Sequence, residues 1–210
     1  MDMKLTSQAT AADNLLAGQN QVTDMVTILS GEGALLRGQL LGRVSVAAAM
    51  PVAGAGNTGD GTIASVTLGG KARLGSYIAE CVAAAVDGGI FKLIDPDGYA
   101  LDAQATVGVA FVSDHLNFTI NDGATDFVVG DTFTLAVGAG SGKYRVYSPA
   151  NTDGSQRPAA ILAQDADATT ADAPAEVYFA GQFSAGSVAG YSASLKDTLR
   201  TSGIFIKTNG

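Results

Sequence analysis

The chain has no tryptophan, one cysteine and one histidine, and only 15% of its residues are charged. A single cysteine cannot form an internal disulfide and offers a metal ion no second soft ligand, which predicts folding in a reducing compartment. Cys81 lies in SYIAECVAA, a run typical of a strand, and is predicted to be a small buried apolar residue. His115 is the one residue around which a catalytic triad could form, and it is predicted to lie on the exposed face of a strand. The sequence therefore predicts no enzyme and no cofactor.

Positive charge and long apolar runs are also scarce. Lys and Arg number 12 against 20 Asp and Glu, so the net charge is −8. Nucleic-acid binding needs a basic face that neutralises phosphates, and this balance predicts no nucleic-acid partner. The longest weakly polar run, residues 44–54, is about half the length of a membrane span. The N-terminus lacks the apolar region of a signal peptide. We therefore predict no membrane partner.

Two glycine-rich segments resemble nucleotide-binding motifs but lack their context. GAGNTG, at Gly54–Gly59, matches GxGxxG, yet a strand-like segment follows where a dinucleotide site needs a helix. GAGSGK, at Gly138–Lys143, lacks both the first glycine of a P-loop and the hydroxyl residue that follows its lysine. Both segments are predicted to be linkers.

Two acidic segments leave an alternative open. DPDG, at Asp95–Gly98, and NDGATD, at Asn121–Asp126, offer oxygen ligands of the kind that calcium prefers. Neither has the spacing of an EF-hand, and ordinary turns use Asp, Asn and Gly equally well. The sequence does not decide between a calcium site and plain turns, although turns are the simpler interpretation.

The pattern of strands and turns indicates that one small domain interrupts another. Residues 22–46 end in a strand whose best hairpin partner is Lys143–Tyr147, and a long segment with its own strand pattern lies between them. We predict an inserted domain over residues 54–140. The surrounding domain is predicted to comprise residues 22–53 and 141–210.

The alternation of apolar residues predicts a mainly β protein. In the middle region Phe133, Leu135 and Val137 share one face, and similar short strands are separated by turn signals, as in a small sandwich or barrel. The only predicted helix lies near the C-terminus, with Ser194 as its N-cap and Gly203 as its stop. The fold class is therefore mainly β, with one short helix and an inserted β-sandwich or barrel.

The surrounding domain resembles the head decoration proteins of bacteriophage lambda and its relatives. The resemblance lies in three segments: GALLRGQLLGRVS, then GKYRVYSPANTDGSQRPAAILAQDADATTADAPAEVYFAGQF, and finally SLKDTLRTSGIFIK. It covers residues 22–50 and 142–210. Ala160 stands where relatives often carry glycine. The inserted region is similar to small β-domains of phage virion proteins.

The resemblance implies a structural virion protein, made in the cytoplasm of a bacterial host, that binds the outer capsid surface as trimers and stabilises the expanded head. Its implied partners are the major capsid protein and further copies of itself. Residues 1–21 lack apolar periodicity and are predicted to be a flexible arm that binds the capsid as an added strand. The arm residues assigned to capsid binding are Met3, Lys4, Leu5, Thr6, Leu15 and Leu16.

Two other functions remain as alternatives. The protein could be a tail or fibre component, or a carbohydrate-binding module, that uses the inserted domain for adhesion. Adhesion modules that bind sugars usually present aromatic platforms, and several of the aromatic residues of the insert fall on predicted core faces. The copy number in purified virions separates a decoration protein from a tail component.

Overall fold

The computed structural model describes residues 14–208, and the predicted mainly β class is confirmed. One short helix accompanies the strands, and no helix among the described residues is long and apolar enough to cross a membrane. In chain order the elements are β1 (Val22–Ile28), β2 (Gly33–Leu35), β3 (Leu40–Arg43), β4 (Val46–Ala53), β5 (Thr62–Leu68), β6 (Gly75–Ala85), β7 (Gly88–Ile94), β8 (Ala100–Thr106), β9 (Ala110–Phe111), β10 (Leu116–Asn121), β11 (Thr132–Ala139), β12 (Tyr144–Val146), β13 (Pro158–Leu162), β14 (Ala166–Ala168), β15 (Ala173–Ser184), α1 (Lys196–Thr201) and β16 (Ile204–Lys207).

Five strands from the two ends of the chain close into a small barrel. They pair in the order β1, β12, β3, β13 and β15, and β15 pairs with β1 again to complete the ring. The predicted hairpin partner of β3 is confirmed, because Tyr144 lies opposite Arg43 and Val146 lies opposite Leu41. A closed ring leaves these strands without free edges. The strand β16 adds to the outside of the ring by parallel pairing with the end of β15.

The strand β15 contributes to two cores, one inside the barrel and one outside it. Val177 packs in the interior with Ile28 and Leu41, whereas Phe183 packs in the outer core. Strict alternation along the strand would place Val177 and Phe183, which are an even number of residues apart, on the same face. The change occurs near Gly181, whose φ of +147° is a conformation that side chains with a Cβ rarely adopt. Gly181 thereby lets one long strand serve both cores.

Residues 46–139 form a β-sandwich. One sheet has the order β4-β11-β6-β7-β8 and the other has the order β5-β10-β9. Their inner faces enclose a core in which Phe91, Phe127 and Phe133 pack edge-on or tilted, with ring centroids 5.0–6.0 Å apart. Such aromatic contacts add to the free energy gained from burying the rings. The predicted sandwich in the middle of the chain is therefore present.

Among the described residues, the sandwich and the barrel domain have separate hydrophobic cores. This separation supports the proposed division into two domains. The sandwich core contains only residues from 46 to 137, and the other two cores contain none of them. The predicted boundary at residues 53 and 54 needs to move, because β4 pairs with β11 of the sandwich along most of its length. We propose that the inserted domain starts at Val46 and ends at Ala139.

The C-terminal helix is present, but its predicted N-cap is wrong. A 3₁₀ turn over Ala193–Leu195 precedes α1, and the hydroxyl of Ser194 lies 2.8 Å from that of Ser192 and does not cap the helix. The predicted stop is confirmed, because Gly203 follows the helix with a φ of +82°. Leu199 anchors the helix to the outer core. The helix therefore begins after a short 3₁₀ turn and not at a side-chain cap by Ser194.

A buried carboxylate, Asp131, ties together two loops of the sandwich. It is 3% exposed, and its oxygens accept hydrogen bonds from the backbone N–H groups of Thr58, Gly59 and Val128 at 2.8–3.0 Å. Burial raises the pKa of the Asp131 carboxyl, but the three N–H donors outweigh it, so the pKa lies below its usual value. The charged form is therefore the one that stabilises the fold.

We expect Asp131→Asn to lower the free energy of unfolding at neutral pH by about 2 kcal/mol, because the amide cannot accept at both positions and leaves a buried donor unpaired. The stabilisation by Asp131 is present above its unfolded-state pKa of about 3.9 and is lost as the pH falls through the lower folded-state value. Denaturant unfolding of both proteins at several pH values tests this. A difference that stays constant down to the most acidic pH would contradict it.

Candidate capsid-contacting surface

The N-terminal end of the described chain is paired with the end of β15. Leu16 forms an antiparallel bridge with Phe183. The N–H of Ala17 donates to the carbonyl of Gln182 at 2.8 Å, and the N–H of Ser184 donates to the carbonyl of Leu15 at 2.9 Å. Leu15 is 3% exposed and belongs to the outer core. This short segment is therefore an integrated part of the barrel domain.

A groove of about 900 Å³ lies beside this segment, between α1 and β16. Alternation along β16 buries Ile204 and Ile206 in the outer core and leaves Phe205 47% exposed. The residues that line the groove are Gln182, Lys196, Arg200, Phe205, Ile206, Lys207 and Thr208. The groove thus combines an exposed aromatic ring with three cationic side chains.

The charge of the groove is opposite to that of the whole chain. Lys196 and Arg200 are one helical turn apart on α1 and face the same side. Arg200 forms an exposed ion pair with Asp197 at 3.4 Å, a type of contact that contributes little to stability. Lys207 donates from Nζ to the carbonyl of Ala17 at 3.1 Å and so connects the groove with the N-terminal segment. In a protein of net charge −8, these cations form a local basic surface.

The two acidic segments have different structures. Asp95 of DPDG is buried and accepts hydrogen bonds from the N–H groups of Asp97 and Tyr99 at 3.0 and 2.9 Å, and Arg73 pairs with both carboxylates. DPDG is therefore an ordinary turn closed by an arginine.

NDGATD instead brings its two carboxylates next to the carboxylate of Asp87. Ligand oxygens of Asp87, Asp122 and Asp126 all lie within 4.8 Å of one another. The N–H of Asp87 donates to Asp126 at 2.9 Å, which joins the tip of the β6–β7 hairpin to the loop after β10. Calcium requires six or more oxygen ligands, so these three carboxylates do not by themselves make a calcium site.

A family model described as bacteriophage lambda head decoration protein D matches residues 4–204. The chain belongs to this family. It is a phage capsid decoration protein, a structural component of the virion head. No curated protein matches the chain.

Two crystal structures of FlgL from Xanthomonas campestris also show similarity. Both are 19% identical to this chain with a TM-score of 0.33, and they cover 53% and 51% of it. The chain spans about a third of their length, 34% and 33%. A TM-score of this size supports no argument about fold or function.

The structure places the predicted capsid-binding residues of this decoration protein in two groups. Met3, Lys4, Leu5 and Thr6 lie outside the described residues. Leu15 and Leu16 are described, and Leu15 is buried whereas Leu16 is half-buried. Residues 14–17 are therefore held on the barrel and are not a flexible arm, because Leu15 fills the outer core and the backbone is paired with β15.

GAGNTG is a linker between β4 and β5, as predicted, whereas the first two residues of GAGSGK end β11 and only its last four residues link β11 to β12. No helix follows either motif. Cys81 is fully buried, as predicted, and burial raises the pKa of its thiol. His115 differs from the prediction, because it is half-buried just before β10 with Nδ1 3.0 Å from the hydroxyl of Tyr77.

Sequence reasoning missed the basic groove. Its cations are separated in the sequence, since Lys196 and Arg200 belong to the helix and Lys207 ends the last strand. One signal was available. IFIK predicts a strand with Ile204 and Ile206 inward, and the same alternation places Phe205 and Lys207 outward.

Proposed function

We propose that this decoration protein binds the outer surface of the expanded phage head as a trimer, stabilises the shell, and projects its inserted sandwich domain outward. The observation that carries the proposal is the family match over residues 4–204, together with the placement of the N-terminal segment on the barrel. The partner is the major capsid protein. Each trimer would bridge neighbouring shell subunits and so oppose their separation.

The N-terminal segment supports a direction for the capsid contact. Residues 14–17 pair with the end of β15, next to the basic groove, so the described part of the chain begins at this surface. We propose that residues 1–13 bind the shell by adding as a strand to an exposed sheet edge. A trimer would present three such arms, and multivalent attachment allows each arm to bind weakly while the whole is held tightly.

The barrel topology supports an outward position for the insert. The insert joins the barrel through the end of β3 and the start of β12, and these are the two strands of the ring that do not pair with β15. The N-terminal segment and the groove lie on β15 and β16. A barrel that contacts the shell through its β15 wall would therefore carry the insert on the opposite wall.

Three measurements test the proposed function. Quantitative analysis of purified virions is expected to give a copy number of the order of that of the major capsid protein, whereas a tail or fibre component would be present in few copies. Native mass spectrometry is expected to show a trimer. Heads that lack the protein are expected to lose DNA on heating, and added protein is expected to prevent this loss. Low copy number, or protein that fails to bind heads, would exclude the proposal.

We expect the insert to be dispensable for folding of the barrel domain. The N–H of Gly140 donates to the carbonyl of Ser45 at 3.0 Å, and Val44 and Lys143 are hydrogen bonded next to them, so the two attachment points already form a hairpin end. Replacement of residues 46–139 by Asn-Gly would close this end with a two-residue turn. The shortened protein is expected to unfold cooperatively and to retain the oligomeric state of the full chain. Aggregation or a broad, non-cooperative thermal transition would show that the two domains depend on each other.

A further inference from the structure

The strand β16 has a free edge, and its residues Phe205, Ile206 and Lys207 line the basic groove. It pairs with β15 on one side, and no described strand pairs with it on the other. The backbone of Ile204–Lys207 is short but extended, and Thr208, which also lines the groove, follows it directly. Unpaired N–H and C=O groups on such an edge can accept another extended chain.

The side chains around this edge favour one type of ligand. Phe205 is 47% exposed, and an exposed aromatic ring in a groove is a typical anchor for a peptide partner. Lys196 and Arg200 border the groove on the α1 side, and Lys207 borders it on the β16 side. Cations on both sides of the groove attract carboxylates, which would lie on the side chains of an added strand.

A peptide fits these features better than a nucleic acid does. A free strand edge supplies backbone hydrogen bonds that a peptide can use in full, whereas nucleic-acid binding depends chiefly on cations that contact successive phosphates. The chain as a whole has a net charge of −8, which repels nucleic acid beyond the groove.

We propose that this groove binds an extended acidic segment of the capsid shell protein, which adds as a strand to the free edge of β16 beside Phe205. The inference rests on the proposed function and specifies the chemistry of the partner surface. The groove adjoins residues 14–17 of the N-terminal segment through the hydrogen bond from Lys207 to the carbonyl of Ala17.

The experiment measures binding of the full-length protein to purified heads that lack it, over a series of salt concentrations. The double variant Lys196→Glu/Arg200→Glu is expected to bind about tenfold more weakly or worse, since like charges would face the acidic segment. Binding of the wild type is expected to weaken as salt rises, and binding of the double variant is expected to respond less. Phe205→Glu, which introduces an acid at the centre of the groove, is expected to give a similar loss.

Matched variants separate this contact from a general effect of charge. Lys196→Arg/Arg200→Lys keeps both cations and is expected to keep the salt dependence of binding that Lys196→Glu/Arg200→Glu loses. Lys71→Glu changes an exposed lysine of the insert that pairs with Asp114 at 2.8 Å, and it is expected to have no effect. Thermal melting of every variant tests whether the fold is retained.

The outcomes are distinct. Unchanged binding of Lys196→Glu/Arg200→Glu and of Phe205→Glu, or an equal loss with Lys71→Glu, would overturn the inference while leaving the proposed function in place. Wild-type protein that binds free duplex DNA with the same dependence on Lys196 and Arg200 would also overturn it, in favour of a nucleic-acid ligand. Wild-type protein that fails to bind heads at all would overturn the proposed function itself.

Discussion

Phe183→Ala is expected to lower the free energy of unfolding by about 3–5 kcal/mol, the usual cost of truncating a buried aromatic side chain. Phe183 is fully buried in the outer core, and its ring lies 5.3 Å from that of Tyr178. The cavity would lie beneath the bridge between Leu16 and Phe183, so the N-terminal segment would lose its packing surface as well. Denaturant unfolding of the isolated protein gives the first measurement.

The same substitution is expected to weaken decorated heads. If the outer core supports the surface that contacts the shell, heads decorated with the Phe183→Ala protein are expected to lose DNA at a lower temperature than heads with the wild type. Asp97→Asn and Asp102→Asn provide the control, because both residues are exposed on the insert. Under the outward orientation they are expected to leave head stability unchanged. Equal sensitivity to insert and core substitutions would place the insert at the shell surface and refute that orientation.

Strand periodicity in the insert was predictable because each strand buries one face in a single core. Phe133, Leu135 and Val137 are all buried, as alternation predicts. Alternation from Val107 to Phe111 would also bury Val109, but the side chain of Val109 is 57% exposed. Gly108 precedes it with a φ of +78° and turns the chain between β8 and β9. A turn inside an apparently regular run changes which face the next side chain takes.

The barrel domain was harder to predict because its strands face two cores. Leu40 and Leu41 are adjacent and both fully buried, Leu40 in the outer core and Leu41 in the barrel. Alternation expects one of them to be exposed. Likewise, the extended chain after Arg43 was interpreted as a single strand to Val46. In the structure the chain leaves the barrel at Val44 and enters another sheet at Val46.

The N-terminal segment shows most clearly what one sequence leaves open. Leu15 stands in a polar region without periodicity, and its core partners Leu199, Ile204 and Ile206 lie near the other end of the chain. Local composition carries no signal of so distant a contact. The prediction of a free arm over residues 1–21 was therefore wrong for residues 14–17, whereas Met3, Lys4, Leu5 and Thr6 remain predicted capsid contacts.

Removal of residues 1–13 is expected to abolish decoration of heads while leaving the barrel folded. Leu15 remains in such a variant, so the outer core keeps all its described members and the melting temperature is expected to match that of the full chain. Loss of the three arms leaves only the contact at the groove between α1 and β16, so the multivalent attachment is broken and occupancy is expected to fall to background and not by a modest factor. Occupancy is measured by sedimenting heads and quantifying the bound protein.

The exact site of truncation decides what this experiment can show. A deletion through residue 21 would also remove Leu15, and loss of a buried leucine side chain typically costs about 2–5 kcal/mol, so lost binding could then reflect an unstable barrel. Leu15→Ala in the full chain isolates that cost, and it is expected to lower the melting temperature while the arm still binds. If the protein without residues 1–13 decorates heads at normal occupancy, the arm is not the attachment. The surface formed by α1 and β16 would then have to hold the protein on the shell alone.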